Sequence, residues 1–118
     1  MPGGAWLRRL TGKSEAVVKM TQRYLAGELS LRLWELQVVA TDQECAREVG
    51  RLRNEAERVP VAALGPVVVR ALRLADRLCW DSLEGGDALA FSRQVALCAE
   101  LWEFGICARL FDEDLNFD

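Results

Sequence analysis

The stretch that decides the fold is PVVVRALRLADRLCWDSLE at 66–84, GGD at 85–87 and ALAFSRQVALCAELWEFGICARLF at 88–111. Two long apolar-rich segments flank a Gly-Gly-Asp turn. On a wheel of 100° per residue, Val67, Val68, Ala71, Leu72, Leu74, Ala75, Leu78, Cys79, Ser82 and Leu83 cover about half the circumference, so this helix needs cover on more than one side. Gly85 suits a left-handed C-cap and Asp87 an N-cap, which predicts a second helix folded back on the first. Its core stripe is expected to be Phe91, Val95, Cys98, Trp102 and Ile106, with Leu97, Leu101 and Phe104 beside it.

Upstream, Pro66 is expected at the favoured first helical position after a short turn over Val61–Leu64, and Pro60 ends an earlier helix. That helix is predicted from Thr41-Asp42-Gln43-Glu44, read as a capping box between Thr41 and Glu44. Its apolar positions Cys45, Val49, Leu52, Ala56 and Val59 form a narrow stripe. The spacings Arg51/Glu55 and Arg53/Glu57 suit ion pairs across a solvated face.

Ser14 can cap a further helix reaching about Ala26, with Val17, Met20 and Tyr24 on one face and Val18 and Leu25 beside them. Gly27 is either a break or a tolerated interior glycine. In Glu28–Ala40, Leu29, Leu31 and Leu33 alternate as in a strand, while Leu29, Leu33, Leu36 and Ala40 recur at helical spacing. No second strand candidate exists to pair with it, so helix is the better reading. The expected architecture is therefore all-α: a compact four- to five-helix bundle, residues 14–111, ending in an antiparallel helical hairpin. A basic arm with three glycines (1–13) precedes it and an acidic tail (112–118) follows.

The chain has 118 residues, 51% of them hydrophobic and 28% charged, with a net charge of −3. That balance belongs to an ordinary globular protein with no strong overall field toward nucleic acid or an acidic membrane. Thirteen arginines stand against two lysines, a trait of GC-rich coding rather than of function. The N-terminus lacks the apolar core of a signal peptide, and no run approaches the length of a membrane span. The expected compartment is the cytoplasm. There Cys45, Cys79, Cys98 and Cys107, without any Cys-x-x-Cys pair, read as small hydrophobes.

The sequence contains no histidine. This removes every mechanism that needs imidazole, including Ser-His-Asp and Cys-His catalysis and most zinc hydrolases. Gly85-Gly86 lacks the spacing and the lysine of a phosphate loop. The reading is non-enzymatic, with no cofactor and no metal.

Four features break the structural pattern. Asp76 and Gln94 fall on apolar faces at nearly the same level of the predicted hairpin. A buried carboxylate needs a partner, so a hydrogen bond between them is expected, with Arg93 nearby. In Glu28–Ala40, Leu31, Trp34 and Val38 make a second apolar stripe, apart from the Leu29 stripe. It is either a homodimer or partner surface anchored by Trp34, or the second buried side of a central helix. Trp6-Leu7-Arg8-Arg9-Leu10 and Lys13 form a short basic arm, read as solvated or paired with the acidic tail rather than bound to membrane or nucleic acid. Cys107 lies on a polar arc late in its helix, where the dipole disfavours a reactive thiolate. Cys79 and Cys98 face inward but are too far out of level for an unstrained bridge.

The function read from these features is protein–protein contact by a small adaptor or regulatory module, self-associating or binding another protein. The alternative is a small-ligand binder with a cavity between the last two helices, gated by Asp76 and Gln94.

Overall fold

The computed structural model describes residues 15–111, with side chains placed from residue 21 onward. Ser14, the basic arm, the acidic tail and the side chains of Val17, Val18 and Met20 lie outside these described residues. Four α-helices and one 3-10 turn make up the described chain: α1 (Glu15–Val38), α2 (Gln43–Arg58), the turn Val61–Ala63, α3 (Leu64–Glu84) and α4 (Ala88–Cys107). α1 packs along α2 and α3 along α4; the pairs join through α2 against α3 and α1 against α4.

Helix α1 runs without interruption through Gly27, at which an added Cβ would meet nothing within 4 Å. The glycine is a tolerated interior residue, not a break. Leu25, Leu29, Leu33 and Leu36 are the buried stripe of α1, spaced four, four and three residues apart as a helix requires. Each fully buried leucine contributes about 1.5–3 kcal/mol of apolar transfer. Tyr24, expected on this face, points outward and is exposed.

Helix α2 buries Cys45, Val49, Leu52 and Ala56 of the stripe read from the sequence, while Val59, its last member, is the half-buried C-cap beyond the helix. Its cap differs by one residue. Asp42, in extended backbone, accepts a hydrogen bond from the Glu44 N–H at 3.0 Å, so Asp42 and not Thr41 is the N-cap. The expected Arg51/Glu55 and Arg53/Glu57 pairs are replaced by others. Arg51 pairs with Glu48 at 2.6 Å, Glu55 with Arg70 of α3 at 2.5 Å, and Arg53 donates to Gln37 of α1. The charged face of α2 is thus spent partly on its neighbours.

The turn between α3 and α4 satisfies orphan carbonyls in the Schellman pattern. Asp87 N–H donates to Ser82 C=O at 2.9 Å and Gly86 N–H to Leu83 C=O at 3.3 Å. Gly86, with φ of 73°, is the left-handed residue, while Gly85 stays right-handed. Asp87 then caps α4 by accepting from Ala90 N–H at 3.1 Å.

Helix α4 is rotated from its expected orientation. Its buried residues are Gln94, Leu97, Leu101, Phe104 and Gly105, whereas Val95 is exposed and Phe91, Cys98 and Trp102 are half-buried. Past Cys107 the chain turns back. Leu110 N–H donates to Gly105 C=O at 2.8 Å and Arg109 N–H to Ile106 C=O at 3.0 Å, with Arg109 at φ of 56°. This is a second Schellman turn, carried by a residue with a Cβ. Since the left-handed region costs an L-residue about 1–2 kcal/mol, Arg109→Gly is expected to raise stability by roughly 0.5–1 kcal/mol, read as a higher urea midpoint with an unchanged slope.

Candidate functional site

Two of the concave surfaces among the described residues gather exposed apolar side chains beside charged ones. The first lies where α1 crosses the C-terminal end of α2. Gln22, Arg23, Ala26, Gly27, Ser30, Leu31 and Trp34 of α1 face Arg53, Glu57, Arg58, Val59 and Pro60, enclosing a cleft of about 940 Å³. Its shape follows from the sequence. Ala26, Gly27 and Ser30 are small, so α1 has a notch there, and Pro60 turns the chain away at the end of α2.

Leu31, Trp34 and Val38 stand 59%, 51% and 61% exposed. Those values exclude a central helix buried on both sides, which would hide them. Their large apolar surfaces have no cover among the described residues. Around the cleft, Arg23 and Arg58 make no ion pair with any described residue, and Arg53 donates only to Gln37 at 3.3 Å. The one acid, Glu57, accepts from Ser30 Oγ at 3.4 Å.

The second surface is a trough of about 450 Å³ between α3 and α4, lined by Leu72, Asp76, Cys79, Trp80, Leu83, Phe91, Val95, Cys98, Ala99 and Trp102. It exists because α4 turns its Phe91–Val95–Cys98–Trp102 stripe here instead of into the core. Asp76 is its one charged lining residue, exposed rather than buried, and makes no hydrogen bond or ion pair among the described residues. Burial first, and then the nearby Asp76 carboxylate, push the Cys98 thiol above its ordinary pKa. Burial, followed by the charges of Cys98 and Asp76, does the same for Cys79. Both thiols stay protonated at neutral pH and are poor nucleophiles.

The expected Asp76–Gln94 hydrogen bond does not form. Gln94 is fully buried, and its Nε2 donates to the Val39 carbonyl at 2.9 Å while its Oε1 has no protein partner. Val39 closes the last turn of α1, where a helix leaves carbonyls without intrahelical donors. Gln94 therefore caps α1 from α4 and ties the two helical pairs together. It lines neither concave surface, so it cannot gate a ligand beside Asp76. The place of Gln94 inside an apolar arc is visible in the sequence, but its partner lies 55 positions away.

Cys45 sits in the first turn of α2 with the Arg77 guanidinium against its sulfur and Asp42 4.0 Å from Arg77. Burial, the largest influence, raises the thiol pKa, outweighing the help from Arg77. The cysteine is fully enclosed, so this is a buried contact joining α2 to α3, not a reactive site. Hydrogen bonding from the Glu44 backbone and then from Cys45 lowers the Asp42 pKa.

All four cysteines are free, with Cys107 exposed. Among the described residues there is no group of three acidic or cysteine side chains able to hold a metal, and no helix is long and apolar enough to cross a membrane. Comparison with family models, with curated proteins and with solved structures returned no match.

Proposed function

We propose that this protein is a non-enzymatic, cytoplasmic adaptor or regulatory module that works by protein–protein contact, its partner being a second copy or another protein rather than nucleic acid. The observation that carries this reading is the exposed stripe Leu31–Trp34–Val38 on a helix whose opposite stripe is fully buried. A helix that buries one face completely and presents leucine, tryptophan and valine on the other has the composition of a contact surface with an aromatic anchor.

Trp34→Glu tests it. The side chain is half exposed, so the fold is expected to keep its stability to within about 0.5 kcal/mol. Association is expected to weaken by at least about tenfold, because a central aromatic anchor typically contributes 2 kcal/mol or more. Sedimentation equilibrium of both forms, with affinity capture from the native cell, reads the effect. A strictly monomeric wild type whose captured proteins are the same with and without the substitution would overturn the reading.

The trough between α3 and α4 favours a second reading, the binding of a small apolar molecule. Its volume of about 450 Å³ lies within the usual range for ligand sites, and Asp76 gives it one polar anchor. Gln94 has no part in this version. A monomer that takes up an apolar ligand, with Ala99→Trp blocking uptake, would support it over the first.

A further inference from the structure

We propose that the cleft between α1 and the end of α2 binds an acidic peptide segment of a partner protein, with an apolar side chain of that segment seated in the Gly27 notch beside Trp34. This rests on the reading of the protein as an interaction module and names the chemistry of the partner.

The cleft is lined by Arg23, Arg53 and Arg58 against a single acid, Glu57, although the chain as a whole carries a net charge of −3. Four arginines elsewhere on the described surface pair with acids, Arg32 with Glu28, Arg51 with Glu48, Arg70 with Glu55 and Arg77 with Asp42, while Arg47, Arg73, Arg93 and Arg109 make no ion pair there. Arg23 and Arg58 likewise have none among the described residues, but they stand with Arg53 around one concavity whose single carboxylate is engaged by Ser30. Unpaired guanidinium groups around a concavity recognise carboxylates through charge-assisted, often two-pronged hydrogen bonds.

Leu31 and Trp34 on one wall and Val59 and Pro60 on the other line the same cleft. Between them Gly27 leaves open space, since a Cβ there would touch nothing within 4 Å. An interior helix glycine costs about 1 kcal/mol relative to alanine, and at this exposed position it leaves the floor of the cleft without a side chain. The docked segment therefore needs acidic residues on both sides of a leucine or an aromatic residue.

Nucleic acid fits less well. Phosphate backbones are held by long basic stripes with several contacts in series. Three arginines line the cleft, and Arg53 also lines the adjoining concavity with Arg47 and Arg51, but Arg51 is already paired with Glu48 and Glu57 stands among the cleft arginines. Acids thus interrupt the basic surface, where a run of phosphates needs it continuous. An acidic segment can thread its few carboxylates among the arginines and place its apolar residue on the strip.

The test is a selection of random displayed short peptides against the full chain, with enriched peptides then measured by fluorescence anisotropy. Enriched sequences are expected to carry net negative charge around a Leu, Phe or Trp, and to bind more weakly as salt rises. Affinity is expected to fall by roughly tenfold or more in the Arg23→Ala/Arg58→Ala double variant. Gly27→Leu should abolish binding by filling the notch while keeping or raising the melting temperature, which separates loss of the cleft from loss of the fold. Enrichment of neutral or basic peptides, no enrichment at all, or arginine variants that bind within about twofold of wild type would overturn the proposal. So would an oligothymidylate that competes as well as the peptides. If Trp34→Glu disrupts native association while the arginine variants do not, the interaction reading stands and this inference alone fails.

Discussion

Gln94→Glu is expected to make the stability of the protein steeply pH-dependent. Gln94 is fully enclosed and spends its amide N–H on the Val39 carbonyl at the end of α1. A carboxyl group of nearly the same shape can make that bond only while it is protonated, since a carboxylate has no donor and would face the carbonyl oxygen directly. Full burial of a carboxyl raises its pKa by up to about 3–5 units. A group whose folded pKa is raised above its unfolded value contributes stability that is present at low pH and is lost as pH rises. The loss begins near the unfolded glutamate value of about 4.3 and saturates at the folded one. A shift of about three units corresponds to roughly 4 kcal/mol lost at neutral pH, a large part of the 5–15 kcal/mol that holds a typical domain. Urea unfolding of variant and wild type at about pH 4 and 7.5 measures the difference. Gln94→Met, which also removes the donor but introduces no charge, should cost much less and show no such pH dependence. Equal penalties for the two variants, or a penalty independent of pH, would mean that position 94 opens to solvent.

The same glutamine marks how far the sequence could be read. Stripes were legible wherever one face of a helix is apolar and the other charged. Leu29, Leu33 and Leu36 in α1, and Cys45, Val49, Leu52 and Ala56 in α2, all lie in the core as their spacing requires. Local caps were nearly legible, because the side chains and the backbone they satisfy are a few residues apart. Asp87 caps α4 as expected. At α2 Asp42 displaces Thr41, and at the Gly-Gly turn Gly86 displaces Gly85, because neighbouring residues of similar chemistry compete for one geometric position.

The rotation of α4 was not legible. That helix is apolar around most of its circumference, so the wheel offered two stripes of similar merit, and the larger Phe91–Val95–Cys98–Trp102 stripe is the one left half outside. The deciding contact is non-local. Gly105 has no side chain to count in any stripe, yet it is buried at the core because Phe111 closes over it. For the candidate site, the apolar stripe Leu31–Trp34–Val38 could be read from spacing alone. The arginines around it come from two helices, and only the packing of α1 on α2 brings Arg23 together with Arg53 and Arg58.

Gly105 also gives the second large effect. After the turn at Arg109, the chain returns and lays the Phe111 ring against the Gly105 backbone, with Phe111 2% exposed and the Trp102 ring 5.9 Å away, centroid to centroid. A Cβ at position 105 would overlap the Cζ, Cε1 and Cε2 atoms of that ring. Unlike the far end of a long side chain, a buried phenyl ring cannot step aside without moving Trp102 or leaving its pocket. Overpacking of this kind costs about 1–3 kcal/mol, so Gly105→Ala is expected near the upper end, even though alanine is the better helix former by about 1 kcal/mol. Phe111→Ala is expected to cost about 3–5 kcal/mol through the cavity it leaves. The combination is the informative variant. With the ring gone, Gly105→Ala meets no clash and fills part of the cavity, so adding it to Phe111→Ala should recover stability instead of losing more. A double-mutant cycle by urea unfolding should therefore give a coupling of about 3–4 kcal/mol, with the double variant more stable than Phe111→Ala alone. Additive penalties would mean that the segment after Arg109 does not rest on α4, and that the last turn of the helix is held by something other than this ring.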